Sequence, residues 1–181
     1  VPVERYYSIA VAAPKALSAP VLPGLLAVAP LQSDGLHSER ALLYADQGQP
    51  RELRRYHYHH WADSPPRLLQ EQLVAYLRQA RAAATVLPDD PRLQAEYRVV
   101  GRLVRFERLN NAERALAAVE LELGLERKGS ARPVLLRQYR AEVPARDGSV
   151  AAVVEAFEQA VGDVYGRFLS DLIAAGRATA P

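Results

Sequence analysis

Residues 56–80 read YHYHHWADSPPRLLQEQLVAYLRQA, and the rest of the chain is organised around the change from strand to helix within them. Leu53 to Tyr58 is rich in aromatic residues, which is typical of a strand. The residue before a proline avoids the α-helical region, and a proline in the first helical turn needs no partner for its missing N–H. The run Ser64-Pro65-Pro66 therefore predicts the start of a helix, with Ser64 as its N-cap.

The predicted helix is amphipathic. Its apolar residues recur at helical spacing and are Leu69, Leu73, Tyr76, Leu77 and Ala80. This spacing predicts one buried face, with the polar residues on the other. Trp61, the only tryptophan, lies in the elbow between strand and helix. We expect Trp61 to be buried beneath the turn.

Residues 97–143 carry the clearest strand pattern. Tyr97 to Leu109 reads as a long strand, and the turn pair Asn110-Asn111 follows it. Between Ala117 and Leu125, apolar residues alternate with a face that holds Glu120 and Glu122, which predicts an antiparallel strand with one face in water. Val134 to Val143 then returns as a third strand. The three strands form a β-meander.

The remaining segments complete the predicted fold. Strands are expected at 5–12, 25–31, 39–45 and 85–87, and a final helix of roughly 25 residues, about 38 Å long, follows the N-cap Ser149. The fold class is α+β, with a mostly antiparallel sheet, the C-terminal β-meander, one inserted helix, and one long C-terminal helix packed on the sheet. We expect a single domain over residues 1–181, with 1–4 as a tether and 174–181 as a frayed tail.

Composition excludes several classes of function. The net charge is +2, and the 23 basic residues, all arginine except Lys15 and Lys128, are spread among 21 acidic ones. No basic cluster of the kind that follows a phosphate backbone is present, so nucleic acid is not an expected partner. The chain has no cysteine, which excludes a disulfide, a thiolate nucleophile and a cysteine-ligated zinc site.

The sequence contains no arrangement that predicts catalysis. No serine lies in a Gly-x-Ser-x-Gly elbow or a Ser-x-x-Lys pair. The carboxylate pair Glu120 and Glu122 is expected on a solvated strand face, where neither group would hold a proton at neutral pH. We therefore predict no catalytic residue, no cofactor and no enzymatic activity.

Three of the four histidines lie just before the elbow. In a regular strand His57 and His59 point to one face, where an imidazole pair can bind zinc, while His60 points the other way. His37 could join them only through the folding of a distant segment. Since no third ligand stands at a motif spacing, we predict no metal site.

Several motifs together resemble the ABC-type transport auxiliary lipoproteins, the PqiC-like (YmbA-like) group. They are Arg5-Tyr6-Tyr7, the run from Tyr58 to Pro65, Leu68-Leu69 through Leu77, the pattern Gly101-x-Leu103-x-x-Phe106-Glu107, and Val153-x-x-x-Phe157. The Trp61-Ala62-Asp63-x-Pro65 elbow is the most specific of them, and the matches run in order along nearly the whole chain. His60 stands where arginine is expected more often.

The resemblance implies a lipoprotein of the Gram-negative periplasm, held at the outer membrane by a lipidated cysteine upstream of Val1. It also implies work with MCE-domain ABC transport systems that move lipids between the two membranes. A homo-oligomer is a further expectation, because strand ladders leave edges that a partner chain could use. The predicted contact residues are Tyr6, Tyr7, Tyr58, His60, Trp61, Asp63 and Pro65.

An alternative remains open. The chain could be a soluble periplasmic carrier that holds an acyl chain itself. An enclosed apolar cavity between the last helix and the sheet would favour the carrier. A packed core with an exposed apolar groove would favour docking.

Overall fold

The computed structural model describes residues 1–179 and contains eight strands and two helices within that range. The elements are β1 (Arg5–Tyr7), β2 (Leu22–Val28), β3 (Ala41–Asp46), β4 (Gln49–Trp61), α1 (Pro65–Ala80), β5 (Ala83–Pro88), β6 (Tyr97–Asn110), β7 (Ala115–Arg127), β8 (Leu135–Pro144) and α2 (Val150–Thr179). The α+β class, the β-meander and both predicted helices are confirmed. No helix within residues 1–179 is long and apolar enough to cross a membrane.

The sheet is mixed, so the prediction of a mostly antiparallel sheet is wrong. Strands β3–β4, β6–β7 and β7–β8 pair antiparallel, whereas β1–β4, β2–β5, β2–β6 and β3–β6 pair parallel. Strands β2 and β3 follow each other in the chain but do not form a hairpin; each pairs with a different end of β6. The alternation of side chains reports the period of a strand and carries no information about the direction of its neighbour.

Both helices share one apolar core with the sheet. Strand β5 contacts α1, while α2 lies against β7 and β8. The helices also touch each other, because the buried Tyr165 hydroxyl of α2 donates a hydrogen bond of 2.6 Å to the Leu69 carbonyl of α1. Phe157, Val161, Tyr165 and Phe168 are fully buried between α2 and the rest of the core.

The acidic face of β7 is drier than its sequence pattern predicts. Glu120 is only 8% exposed and pairs with Arg140 of β8 at 2.9 Å. Ala118 is fully buried in a second, smaller cluster with Ala45 and Leu109. Alternation alone could not show that neighbouring strands would cover this face.

The last helix continues beyond its predicted end. It runs to Thr179, so the predicted frayed tail from residue 174 is helical wherever it is described, and residues 180–181 lie outside the described residues. Gly176 is the reason that the helix can approach the start of β2 there, since a Cβ at this position would overlap Val21. The boundaries of the predicted single domain stay a prediction.

Candidate functional site

The elbow forms as the proline pair predicts, although its cap differs in detail. Ser64 has φ −60° and ψ 140°, the extended geometry of an N-cap, but its side chain makes no capping hydrogen bond. The Ser64 carbonyl accepts hydrogen bonds from the N–H groups of Arg67 and Leu68, and the Asp63 carboxylate accepts the Ser64 N–H at 2.7 Å. Asp63 therefore holds the turn that precedes α1.

Trp61 is buried, as predicted from its place in the elbow. Its side chain is 1% exposed, and its ring packs 5.1 Å from the Phe106 ring and 5.2 Å from the Phe157 ring, measured between centroids. Its backbone N–H donates to the Arg40 carbonyl at 2.6 Å. Trp61 thus joins β4, β6 and α2 in one aromatic cluster.

Strand β4 bulges immediately before the elbow. Between the pairs Ala41–His60 and Leu43–Arg55, β4 contains three more residues than β3. An insertion of this size interrupts the regular pleat and leaves the extra residues outside the ladder. Tyr58, in the middle of the bulge, is consequently 46% exposed.

His57 and His59, which a regular strand would place on one face, lie in different environments. His59 is half-buried and its Nδ1 lies 2.9 Å from the Tyr7 hydroxyl, whereas His57 is exposed. Burial, and then the charge of Arg5, lower the pKa of His59. Over residues 1–179, no three histidine or acidic side chains converge on a point that could hold a metal ion.

Four exposed or half-buried residues of β1, β4 and the elbow, namely Tyr6, Tyr58, His60 and Asp63, are called the elbow patch below. Tyr6 is 54% exposed and stacks on the His60 ring with centroids 5.4 Å apart. The Arg40 guanidinium lies 5.2 Å from the centre of the Tyr6 ring. Nε2 of His60 is buried and has no hydrogen-bond partner. Such a group carries a desolvation cost of about 1–3 kcal/mol.

The seven predicted contact residues thus divide into three groups. Tyr6 and Tyr58 are exposed, Tyr7, His60 and Asp63 are half-buried, and Trp61 and Pro65 are buried. Because Trp61 and Pro65 are buried, a partner could not touch their side chains in this conformation.

Strand β1 forms one end of the sheet and pairs with β4 alone among the described strands. No strand within residues 1–179 pairs with its outer edge. An edge strand of this kind is the usual template for strand addition. The elbow patch and this free edge lie side by side.

A second cluster, centred on the buried side chains of His37 and Glu107, was not predicted from the sequence. His37 is 4% exposed and Glu107 is 3% exposed. His37 Nδ1 lies 2.8 Å from the Asp34 carboxylate, and its Nε2 lies 3.5 Å from that of Glu107. Arg105 donates to the other oxygen of Glu107 at 2.6 Å. Seventy residues separate His37 from Glu107 in the chain, so no spacing motif could have joined them.

An open groove of about 760 Å³ runs along α1, beside the carboxyl ends of β2 and β5. Pro30, Leu31 and Val74 supply apolar walls, and Arg67 and Arg78 lie among the polar ones. Its position fits the general tendency of ligands to bind beyond the carboxyl ends of parallel strands.

Comparison with known proteins identifies the chain by family rather than by individual relative. The model of the ABC-type transport auxiliary lipoprotein component matches residues 7–167. This range includes the elbow, the meander and most of α2. No curated protein matches the chain.

Solved structures with the same fold come from several bacteria. Protein XCC0632 from Xanthomonas campestris is 22% identical with a TM-score of 0.83, over 96% of this chain and 98% of that one. The hypothetical protein CT253 from Chlamydia trachomatis is 11% identical with a TM-score of 0.53, over 88% and 99%. A PelC dodecamer from Paraburkholderia phytofirmans is 11% identical with a TM-score of 0.50, over 88% and 93%. At these identities the likeness concerns the fold alone.

Proposed function

Because this chain belongs to the ABC-type transport auxiliary lipoprotein family, we propose that it is a non-catalytic accessory protein of an MCE-type ABC transport system. In this role it docks onto the transport assembly that moves lipids between the inner and outer membranes. The family match carries the proposal, because an auxiliary component acts through its contacts with a transporter. The sequence, which lacks catalytic motifs, agrees with such a role.

The elbow patch is our proposed contact surface. Tyr6 and Tyr58 are two of the six large apolar or aromatic side chains that the described residues expose. Tyrosine suits contact surfaces because its ring is apolar while its hydroxyl stays hydrated. The free edge of β1 could add backbone hydrogen bonds to the side-chain contacts.

The proposal places the protein in the periplasm, anchored to the outer membrane by a lipidated cysteine that precedes Val1. The expected finding is a precursor with a signal peptide that ends in this cysteine, followed by a short tether. Mass spectrometry of the mature protein from envelope membranes would detect the acylated N-terminal peptide. A mature protein without a lipidated cysteine would contradict the anchoring.

A homo-oligomer is part of the same proposal, and sedimentation of the lipidated protein would test it.

Site-specific photo-crosslinking tests the contact surface. A photoreactive phenylalanine analogue would replace Tyr6 or Tyr58 in cells that express the full-length lipoprotein. We expect covalent adducts with an MCE-domain or transporter component. Leu136, which is 53% exposed on β8, is the matched control position, and a probe there should give little adduct. Equal adducts from all three positions, or none from Tyr6 and Tyr58, would contradict the proposed surface.

The lipid carrier remains the second candidate, and the groove along α1 is the feature that favours it. The space between α2 and the sheet, where an enclosed cavity would favour the carrier, is filled by aromatic and aliphatic side chains. A carrier would therefore have to bind its ligand in the open groove. Native mass spectrometry of protein purified without detergent distinguishes the two candidates, since a stoichiometric phospholipid that is lost in Val74→Arg would favour the carrier.

A further inference from the structure

Residues 33–40, which we call the latch segment, connect β2 to β3 and bury His37 against β6. The side chain of His37 is 5% exposed, and both of its ring nitrogens face carboxylate oxygens. A carboxylate can only accept hydrogen bonds, and a neutral imidazole has only one N–H to donate. Both contacts are therefore satisfied together only when His37 is an imidazolium with two N–H groups.

The charges around His37 complete this arrangement. Glu107 is 4% exposed at its side chain and accepts from the Phe106 N–H at 2.9 Å and from Arg105 at 2.6 Å. Arg105 in turn reaches Glu142 of β8 at 3.3 Å. Asp34 is more than half exposed and also accepts the His37 backbone N–H at 2.9 Å. The groups that face His37 are thus two carboxylates, with Arg105 as a neighbour of one of them.

We propose that His37 is a proton-operated latch: the imidazolium fastens the latch segment to β6, and loss of its proton loosens the segment. Nothing in the accessory role requires this device, so the inference goes beyond the proposed function. It makes the anchoring of one surface segment depend on pH through a single buried histidine.

The latch segment also contacts the elbow and Tyr6. Arg40, at the end of the segment, donates to the carbonyls of Trp61 at 3.2 Å and Ala62 at 3.0 Å, and its guanidinium also lies over the Tyr6 ring. Glu39 adds an ion pair with Arg55 of β4 at 2.7 Å. A looser segment would therefore leave Tyr6 and the elbow less firmly positioned.

The direction of the pH dependence follows from the surroundings of His37. Burial disfavours the charged ring, but hydrogen bonds from the ring to Glu107 and Asp34 outweigh it, so the pKa of His37 is raised. A raised folded-state pKa means that the stabilisation is fully present below the pKa of an unfolded histidine, about 6.5, and is lost as pH rises through the folded-state pKa. Each unit of difference between the folded-state and unfolded-state pKa of His37 corresponds to a factor of about ten in the equilibrium constant for unfolding.

The test combines a titration with hydrogen exchange on the isolated full chain. NMR titration of the imidazole signals should show His37, assigned by its loss in His37→Gln, deprotonating at higher pH than an ordinary histidine, about 6.5. Hydrogen exchange of residues 33–40, corrected for the intrinsic rate at each pH, should show protection that falls several-fold through the same pH range.

The two matched variants separate the latch from other pH effects. His37→Gln should exchange at one rate across this range, because a glutamine does not titrate, whereas His57→Gln should keep the wild-type dependence. A His37 that titrates at or below the ordinary histidine pKa overturns the proposal, as does a pH dependence that survives in His37→Gln. If His37→Gln does not fold, the signal that is not lost in the His57, His59 and His60 variants still identifies His37 in the wild type. Since no partner is involved, either result leaves the accessory role untouched.

Discussion

Trp61 and His60 are neighbours in the chain, yet they lie in opposite environments. On the inner side of the elbow, Trp61 packs among aromatic rings and is almost fully buried. On the outer side, His60 stacks on the exposed Tyr6 and has a buried ring nitrogen with no partner. On the inner side the large side chain is fully packed. On the outer side one buried polar atom lacks a hydrogen-bond partner. This difference assigns stability to the first and, in our proposal, contact with a partner to the second.

The largest expected effect concerns the inner side. Trp61→Ala removes a large ring from a packed core and should lower the free energy of unfolding by about 3–5 kcal/mol. Urea denaturation followed by circular dichroism would measure the loss, because the variant has no tryptophan to report by fluorescence. A loss below about 1 kcal/mol would mean that Trp61 stabilises the fold no more than the outer side of the elbow does.

A smaller effect of opposite sign is expected on the outer side. His60→Phe keeps a ring against Tyr6 and removes the unpaired Nε2, so it should raise the free energy of unfolding by about 1 kcal/mol. His57→Phe is the matched control, since His57 is exposed in the bulge and should give no gain. A destabilised His60→Phe would show that Nε2 contributes to the isolated fold and would weaken the contrast.

The smallest effect on stability is expected at Tyr58. Tyr58→Ala changes an exposed side chain in a bulge, so the free energy of unfolding should move by no more than about 0.5 kcal/mol. Capture of the transport component from envelope extracts should nevertheless fall sharply if the elbow patch is the contact surface. If Tyr58→Ala lowers both the free energy of unfolding and the capture, Tyr58 has a structural role, as Trp61 does.

The candidate site was predictable in part. The elbow motif indicated the buried Trp61 and the helix start at Pro65, because proline and apolar spacing act over a few residues. The motifs did not show that Tyr58 would be exposed while Tyr7 is half-buried. The exposure of Tyr58 depends on the bulge in β4, which is set by pairing with β3. The contacts of His37 with Glu107 join segments 70 positions apart in the chain, which no local pattern could connect.

The sequence by itself determined the α+β class, the meander from β6 to β8, the two helices and the family, because these depend on short-range period, turn residues and motif order. The tertiary structure decided the parallel pairing of β2 and β3 with β6, the bulge in β4 and the burial of Glu120, Glu107 and His37. It also decided that α2 continues past residue 174, where Gly176 meets Val21. Each of these features depends on contacts between segments far apart in the chain, and a local pattern contains no information about which segments meet.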